Sequence, residues 1–144
     1  MAEISRKELL LRLIGAGDHP RLGGADLSGL NLTGIELRGA LLCQADLSGA
    51  NLNGANLGKA DLRLADLSLA DMRGAFLRDA TLTGANLRGA RLNFADLVDA
   101  DLSGASLAKA DLREANLSGA KLNDANLTGA KLAGAVMPDG KRHE

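Results

Sequence analysis

An all-β solenoid, specifically a parallel β-helix, is the fold class this sequence predicts, and three observations carry the prediction. From Leu27 to Met137 an apolar residue recurs every five positions without a slip: 23 consecutive central positions hold 21 Leu and two Met, Met72 and Met137. Two residues before each stands a small apolar residue, Ala in 21 cases, with Leu30 and Ile35 the exceptions. The chain of 144 residues is 46% hydrophobic yet contains no Trp or Tyr, and Phe76 and Phe94 are its only aromatics. A narrow tube lined by one Leu and one Ala per side has no room for rings.

The period dictates the geometry. On a straight α-helix five residues advance about 500°, so the leucines would wander around the axis. On a straight strand an odd period sends successive leucines to opposite faces. All of them can point inward only if the chain turns by a fixed angle after every unit. Within a unit, Ala and Leu are two apart, the same-side spacing of an extended segment. The residue between them, Asp or Asn in 14 of 23 units, then faces water and solvates the wall. The position after each Leu also faces outward, and the next is a corner. Gly occupies 12 of the 23 corners, as expected where the backbone needs dihedrals that other residues resist.

The tandem A-(D/N)-L-x-x, seen cleanly in Ala45-Asp46-Leu47-Ser48-Gly49, Ala50-Asn51-Leu52-Asn53-Gly54 and Ala85-Asn86-Leu87-Arg88-Gly89, resembles the pentapeptide-repeat family. The resemblance covers about four-fifths of the chain and is similar in its ending and entry helix to short bacterial, particularly cyanobacterial, members. It implies a quadrilateral section, four units to a coil of 20 residues; the period alone also permits a triangular coil. A right-handed coil is what the chirality of parallel crossovers favours. Coils stacked about 4.8 Å apart would make a rod of roughly 30 Å.

Residues 1–19 differ in kind. Ser5 and Glu8 form a capping-box pair, Ile4 and Leu9 are placed as a hydrophobic staple, and Leu9, Leu10, Leu13 and Ile14 give an apolar face before Gly15 and Gly17. A short N-terminal capping α-helix near Arg6–Ile14 is expected, too short and too charged for a membrane span and without the order of a signal peptide. It would cover the open first coil, where Leu30 and Ile35 could fill the space beneath it. Pro20 to Gly24 reads as a degenerate leading unit. The expected organisation is therefore residues 1–19 as capping helix and connection, 20–139 as repeat β-helix, and 140–144 as a C-terminal tail. Nothing apolar follows Met137-Pro138-Asp139-Gly140, so Leu122, Leu127, Leu132 and Met137 are expected to be lightly covered or buried against another molecule. Monomer and end-to-end homodimer both remain open.

Chemistry finds little purchase. An uninterrupted tube implies no pocket, His19 and His143 sit near opposite ends, and the serines following each Leu have no partner base. No catalytic activity, cofactor or metal is expected. The outward aspartates stack at coil spacing, but as solvating groups. The lone Cys43 forms no internal disulfide, and a reduced, cytoplasmic compartment is expected. Net charge is −1, so direct nucleic-acid binding is not expected. Threonines are too few for an ice-binding array. The expected function is a non-enzymatic protein-binding or scaffold rod of unknown partner. The alternative drawn from the resemblance is a DNA-mimic protein that binds DNA gyrase. Against it, Arg63, Arg73, Arg78, Arg88, Arg91 and Arg113 interrupt the acidic rows, and the aromatic C-terminal dimerisation segment is missing. The candidate docking patch comprises Phe76, Phe94, Val98, Arg78 and Arg73, which the square coil gathers near mid-rod. The rings could instead lie over glycine corners such as Gly74 and shield backbone.

Overall fold

The computed structural model describes Ser5, Glu8, Leu9 and residues 19–144. From residue 20 onward the chain is a coil of one-residue parallel bridges, each joining a residue to the one 20 positions on, from Arg21↔Leu41 to Asn116↔Val136. The offset of 20 gives four units per coil and excludes the triangular alternative. The fold is the quadrilateral β-helix. Its walls are defined by their bridge residues: wall 1 runs from Arg21 to Lys121, wall 2 from Asp26 to Asn126, wall 3 from Asn31 to Lys131 and wall 4 from Glu36 to Val136.

Each wall repeats one hydrogen-bond pattern. The Leu27 N–H donates to the Asp46 carbonyl at 2.7 Å, and the Asp46 N–H donates back to the Ala25 carbonyl at 2.9 Å. A turn then closes the unit: the Ala25 N–H reaches the Leu22 carbonyl at 3.1 Å, and the Ala45 N–H reaches that of Leu42 at 3.0 Å. At every corner from Gly24 to Gly134 φ lies between 57° and 76°. A positive φ at the third residue is what a type II turn demands, which explains the glycines. Ten corners are nevertheless not glycine, among them Leu64, Leu69 and Phe94. The central leucines of the units from Leu22 to Leu117, with Met72, and the leading alanines from Ala40 to Ala120 fill the interior, and no polar or charged residue is buried among the described residues.

The two ends differ. At the start, the Glu8 N–H donates to Ser5 Oγ at 3.1 Å, the Ser5 N–H donates to Glu8 Oε2 at 2.9 Å, and the Leu9 N–H reaches the Ser5 carbonyl at 2.9 Å. This is the reciprocal capping box, and it turns Leu9 fully into the core beside Leu22, Leu27 and Leu32. Ile35 is buried and Leu30 half-buried nearby. The rest of the helix expected over Arg6–Ile14 lies outside the described residues. At the far end Leu122, Leu127, Leu132 and Met137 are only partly buried. The stretch expected as a plain tail folds back instead. Val136 and Arg142 form an antiparallel bridge, the His143 N–H donates to the Ala135 carbonyl at 2.7 Å, and the Arg142 guanidinium pairs with Glu114. Wall 4 is closed in this way. On the other three walls the N–H groups of Leu122, Leu127 and Leu132 have no backbone partner among the described residues.

Candidate functional site

The outer walls make up most of the surface of a filled tube, and their chemistry starts from the residue before each Leu. Its side chain does more than meet water. Asp46 Oδ1 accepts the Ser48 N–H at 3.0 Å and the Ser48 hydroxyl at 2.6 Å. Asp26 with Ser28, Asp66 with Ser68, Asn51 with Asn53 and Asn116 with Ser118 repeat the bond to the backbone. A short side-chain acceptor thus satisfies the N–H that the turn leaves pointing outward, the Asx device of tight turns. That is a second reason for Asp or Asn here, beyond solvation.

Where the partner two residues on is Arg, the pair becomes a two-pronged ion pair. Arg73 Nε and Nη2 donate to Asp71 at 2.8 and 2.7 Å, Arg63 holds Asp61 in the same way, and Arg113 holds Asp111 at 2.9 and 2.6 Å. These guanidiniums, more than any other group, hold the Asp61, Asp71 and Asp111 carboxyls below the usual carboxylate range. A depressed folded-state value contributes stability that is complete above the unfolded value, about 3.9, and is lost as pH falls below it. The expected result is a thermal midpoint that is flat from pH 7 to pH 5 and drops below about pH 4. The Asp111→Asn variant should show a shallower acid limb in calorimetry. An unchanged limb would remove Asp111 from the account.

Of the five patch residues, Phe76, Arg78 and Val98 lie together on wall 4. Phe76 is 53% exposed and bridges to Asn56 on one side and Asp96 on the other. Asp96 accepts the Val98 N–H and Arg78 Nε, each at 3.1 Å, and pairs with Arg78 Nη2 at the same distance. Phe94, 70% exposed, is the corner between walls 3 and 4. Arg73 sits on wall 3, and with Phe94 it lines an open depression of about 460 Å³ that also includes Arg91, Asn93, Asp111 and Arg113. The patch therefore bends around a corner, with one aromatic on each side. Gly74 lines the same depression, and nothing lies within 4 Å of the position its side chain would take. The exposed corner leucines behave differently, for Leu64 and Leu69 lean against the glycines one coil on, Gly84 and Gly89.

Arg91 and Arg113 were absent from the expected patch. Sorting outward residues by position within the 20-residue coil places both beside Arg73, a signal present in the sequence once the coil number is known. Among the described residues no group of three His, Cys, Asp or Glu is arranged to hold a metal ion, and no helix is long and apolar enough to cross a membrane.

Fold and surface together define a repeat solenoid with an apolar, filled interior and polar outer walls. The pentapeptide-repeats profile matches eight copies, over residues 21–58, 45–84, 60–97, 85–124 and 95–134, and the chain belongs to the pentapeptide-repeat family, which is generally non-catalytic. No curated protein matches it. Among solved structures it is similar to a pentapeptide repeat protein of the Arabidopsis thaliana thylakoid lumen, at 36% identity over 68% of each chain with a TM-score of 0.53. It also matches one from the cyanobacterium Cyanothece 51142, at 27% identity over 85% of this chain and 94% of that one, TM-score 0.44. A third is QnrB1, a plasmid-mediated fluoroquinolone resistance protein, at 22% identity over 80% and 71%, TM-score 0.49.

Proposed function

We propose that this chain is a non-enzymatic protein-binding or scaffold rod, and that the corner patch of Phe76, Phe94, Val98, Arg78 and Arg73 is where its partner docks. One observation carries the reading: both aromatics stand where the fold disfavours them. Phe76 occupies an Asx position, so the acceptor that would satisfy the Arg78 N–H, a bond worth about 1 kcal/mol, is given up for an exposed ring. Phe94 holds φ at 61°, a left-handed conformation that costs a side chain of this size about 1–2 kcal/mol. A large ring kept exposed at each of these positions supports a functional role, and aromatic and Arg side chains are the types enriched at binding hot spots.

The finer parts of the reading rest on similar support. A right-handed coil follows from crossover chirality. A full capping helix over residues 6–14 follows from the capping box and buried Leu9. With Leu122, Leu127 and Leu132 only partly buried, the rod is either a monomer or an end-to-end homodimer, which sedimentation at several concentrations distinguishes. A cytoplasmic location rests on the unpaired Cys43, against the lumenal location of the Arabidopsis relative.

The test is a comparison of immobilised wild-type rod with the Phe76→Ser/Phe94→Ser double variant, with bound lysate proteins identified by mass spectrometry. The double variant should keep its circular dichroism and thermal midpoint yet lose the specific partner. An identical set of captured proteins on both rods would sink the patch. Strong inhibition in a gyrase supercoiling assay would replace the reading with the DNA-mimic alternative.

A further inference from the structure

The body's near-neutral charge conceals an asymmetry between walls. Wall 1 is balanced, with Arg21, Arg63 and Lys121 against Asp61, Asp101 and Asp124. Wall 2 is acidic through Asp26, Asp46 and Asp66, opposed by Arg88 and Lys109. Wall 4 carries five acidic residues, Glu36, Asp79, Asp96, Asp99 and Asp139, against Arg38, Lys59 and Arg78. Wall 3 alone has a basic excess: Arg73, Arg91, Arg113 and Lys131 oppose Asp71, Asp111 and Glu114, and Glu114 is already taken by Arg142.

Three of those cations are concentrated in the open depression beside Phe94. Arg73 and Arg113 are fixed in place by two bonds each to Asp71 and Asp111 through Nε and Nη2, which leaves the Nη1 of both unbonded among the described residues. Arg91 stands between these two rungs with Nη1 3.8 Å from Asp71 Oδ2, beyond hydrogen-bond range. Its side chain is 55% exposed. The result is a pre-oriented set of donors around one cation held only by a long ion pair to Asp71, with an aromatic ring at the rim. Pre-orientation lowers the entropy cost of binding a carboxylate.

We propose that wall 3 is a docking site for an extended acidic peptide segment of a partner protein, its carboxylates meeting Arg91 and the free edges of Arg73 and Arg113 while an apolar side chain covers Phe94. The inference rests on the reading of the rod as a protein-binding module and names the partner's chemistry. Openness argues against a small ligand, which needs enclosure on several sides. Asp71 and Asp111, set between the arginines, repel a continuous phosphate backbone, whereas a peptide can place carboxylates only where the guanidiniums are.

The experiment pans a display library of random decapeptides on the folded full-length rod and measures enriched peptides by fluorescence anisotropy at two salt concentrations. Enriched sequences should carry an excess of Asp and Glu with at least one large apolar residue, and bind more weakly at high salt. Arg91→Glu and Phe94→Ser should each weaken them about tenfold or more, while Arg63→Glu on wall 1 changes them less than about twofold. Matching thermal melts exclude misfolding of the variants. No enrichment, peptides without acidic bias, or peptides indifferent to Arg91→Glu would overturn the proposal. So would equally tight binding of an oligothymidylate of the same charge. Peptides that depend on Phe76 but ignore Arg91 would retain the protein-binding reading and discard this one.

Discussion

Leu87→Ala is expected to lower the unfolding free energy by about 2–5 kcal/mol. Leu87 is 1% exposed and stacks in one column between Leu67 and Leu107, with alanines on the adjoining position of each unit. Removing its isobutyl group loses the transfer free energy and leaves a cavity. The cavity cannot close, because each wall's spacing is set by bridges above and below, such as Asp66↔Asn86 and Asn86↔Ser106. Neighbouring leucines would have to move along the axis against those ladders. In a repeat protein each coil rests only on its neighbours, so a mid-rod weakness is felt by the whole stack. Urea unfolding should show the loss, alongside a thermal midpoint lower by about 2–4 °C per kcal/mol. The adjacent Arg88→Ala, on an exposed side chain, should stay within about 0.5 kcal/mol. Comparable losses at both sites would contradict the inward and outward assignment.

Leu9→Asp is expected to cost at least as much, because the truncation is compounded by an unpaired carboxylate in an apolar site. Leu9 is fully buried among the leucines of the first coil, and Ser5 and Glu8 hold the backbone turn that delivers it. A solenoid cannot leave both its core and its bridge-forming edge in water at a terminus without inviting other edges to pair. The variant should therefore bind a hydrophobic dye in native buffer and scatter light on warming, well before global unfolding. Leu9→Met, which conserves volume, should lose less than about 1.5 kcal/mol. A Leu9→Asp rod as stable and as dye-silent as the wild type would show that the cap contributes nothing to the fold.

The repeat was open to reading because a strict period of five leaves the chain one way to bury every leucine. The inward columns, the outward position of Asp46 and Asn51 and the turn at each glycine all follow from that. The capping box was equally legible, being a local pattern within four residues. What the five-residue period did not contain was the number of units per coil, since a turn of 90° and one of 120° bury the same residues. The resemblance supplied the square section, and the bridges at an offset of 20 establish it. The Asx bond from Asp46 to the Ser48 N–H was hidden for a related reason, because its role appears only when the turn's backbone direction is known. The fold-back of Arg142 onto Val136 is a tertiary event between polar residues and leaves no periodic trace.

The same division holds for the candidate site. By itself the sequence determined that Phe76 and Phe94 face outward, because their positions in the repeat are outward whatever the coil. It also determined the total charge. Only the tertiary structure decided that Arg91 and Arg113 join Arg73 beside Phe94, and that the basic excess collects on one wall. Local sequence fixes which side of its own unit a residue occupies. Which distant residues become neighbours depends on how many units close a coil, and that is a property of the stacked whole.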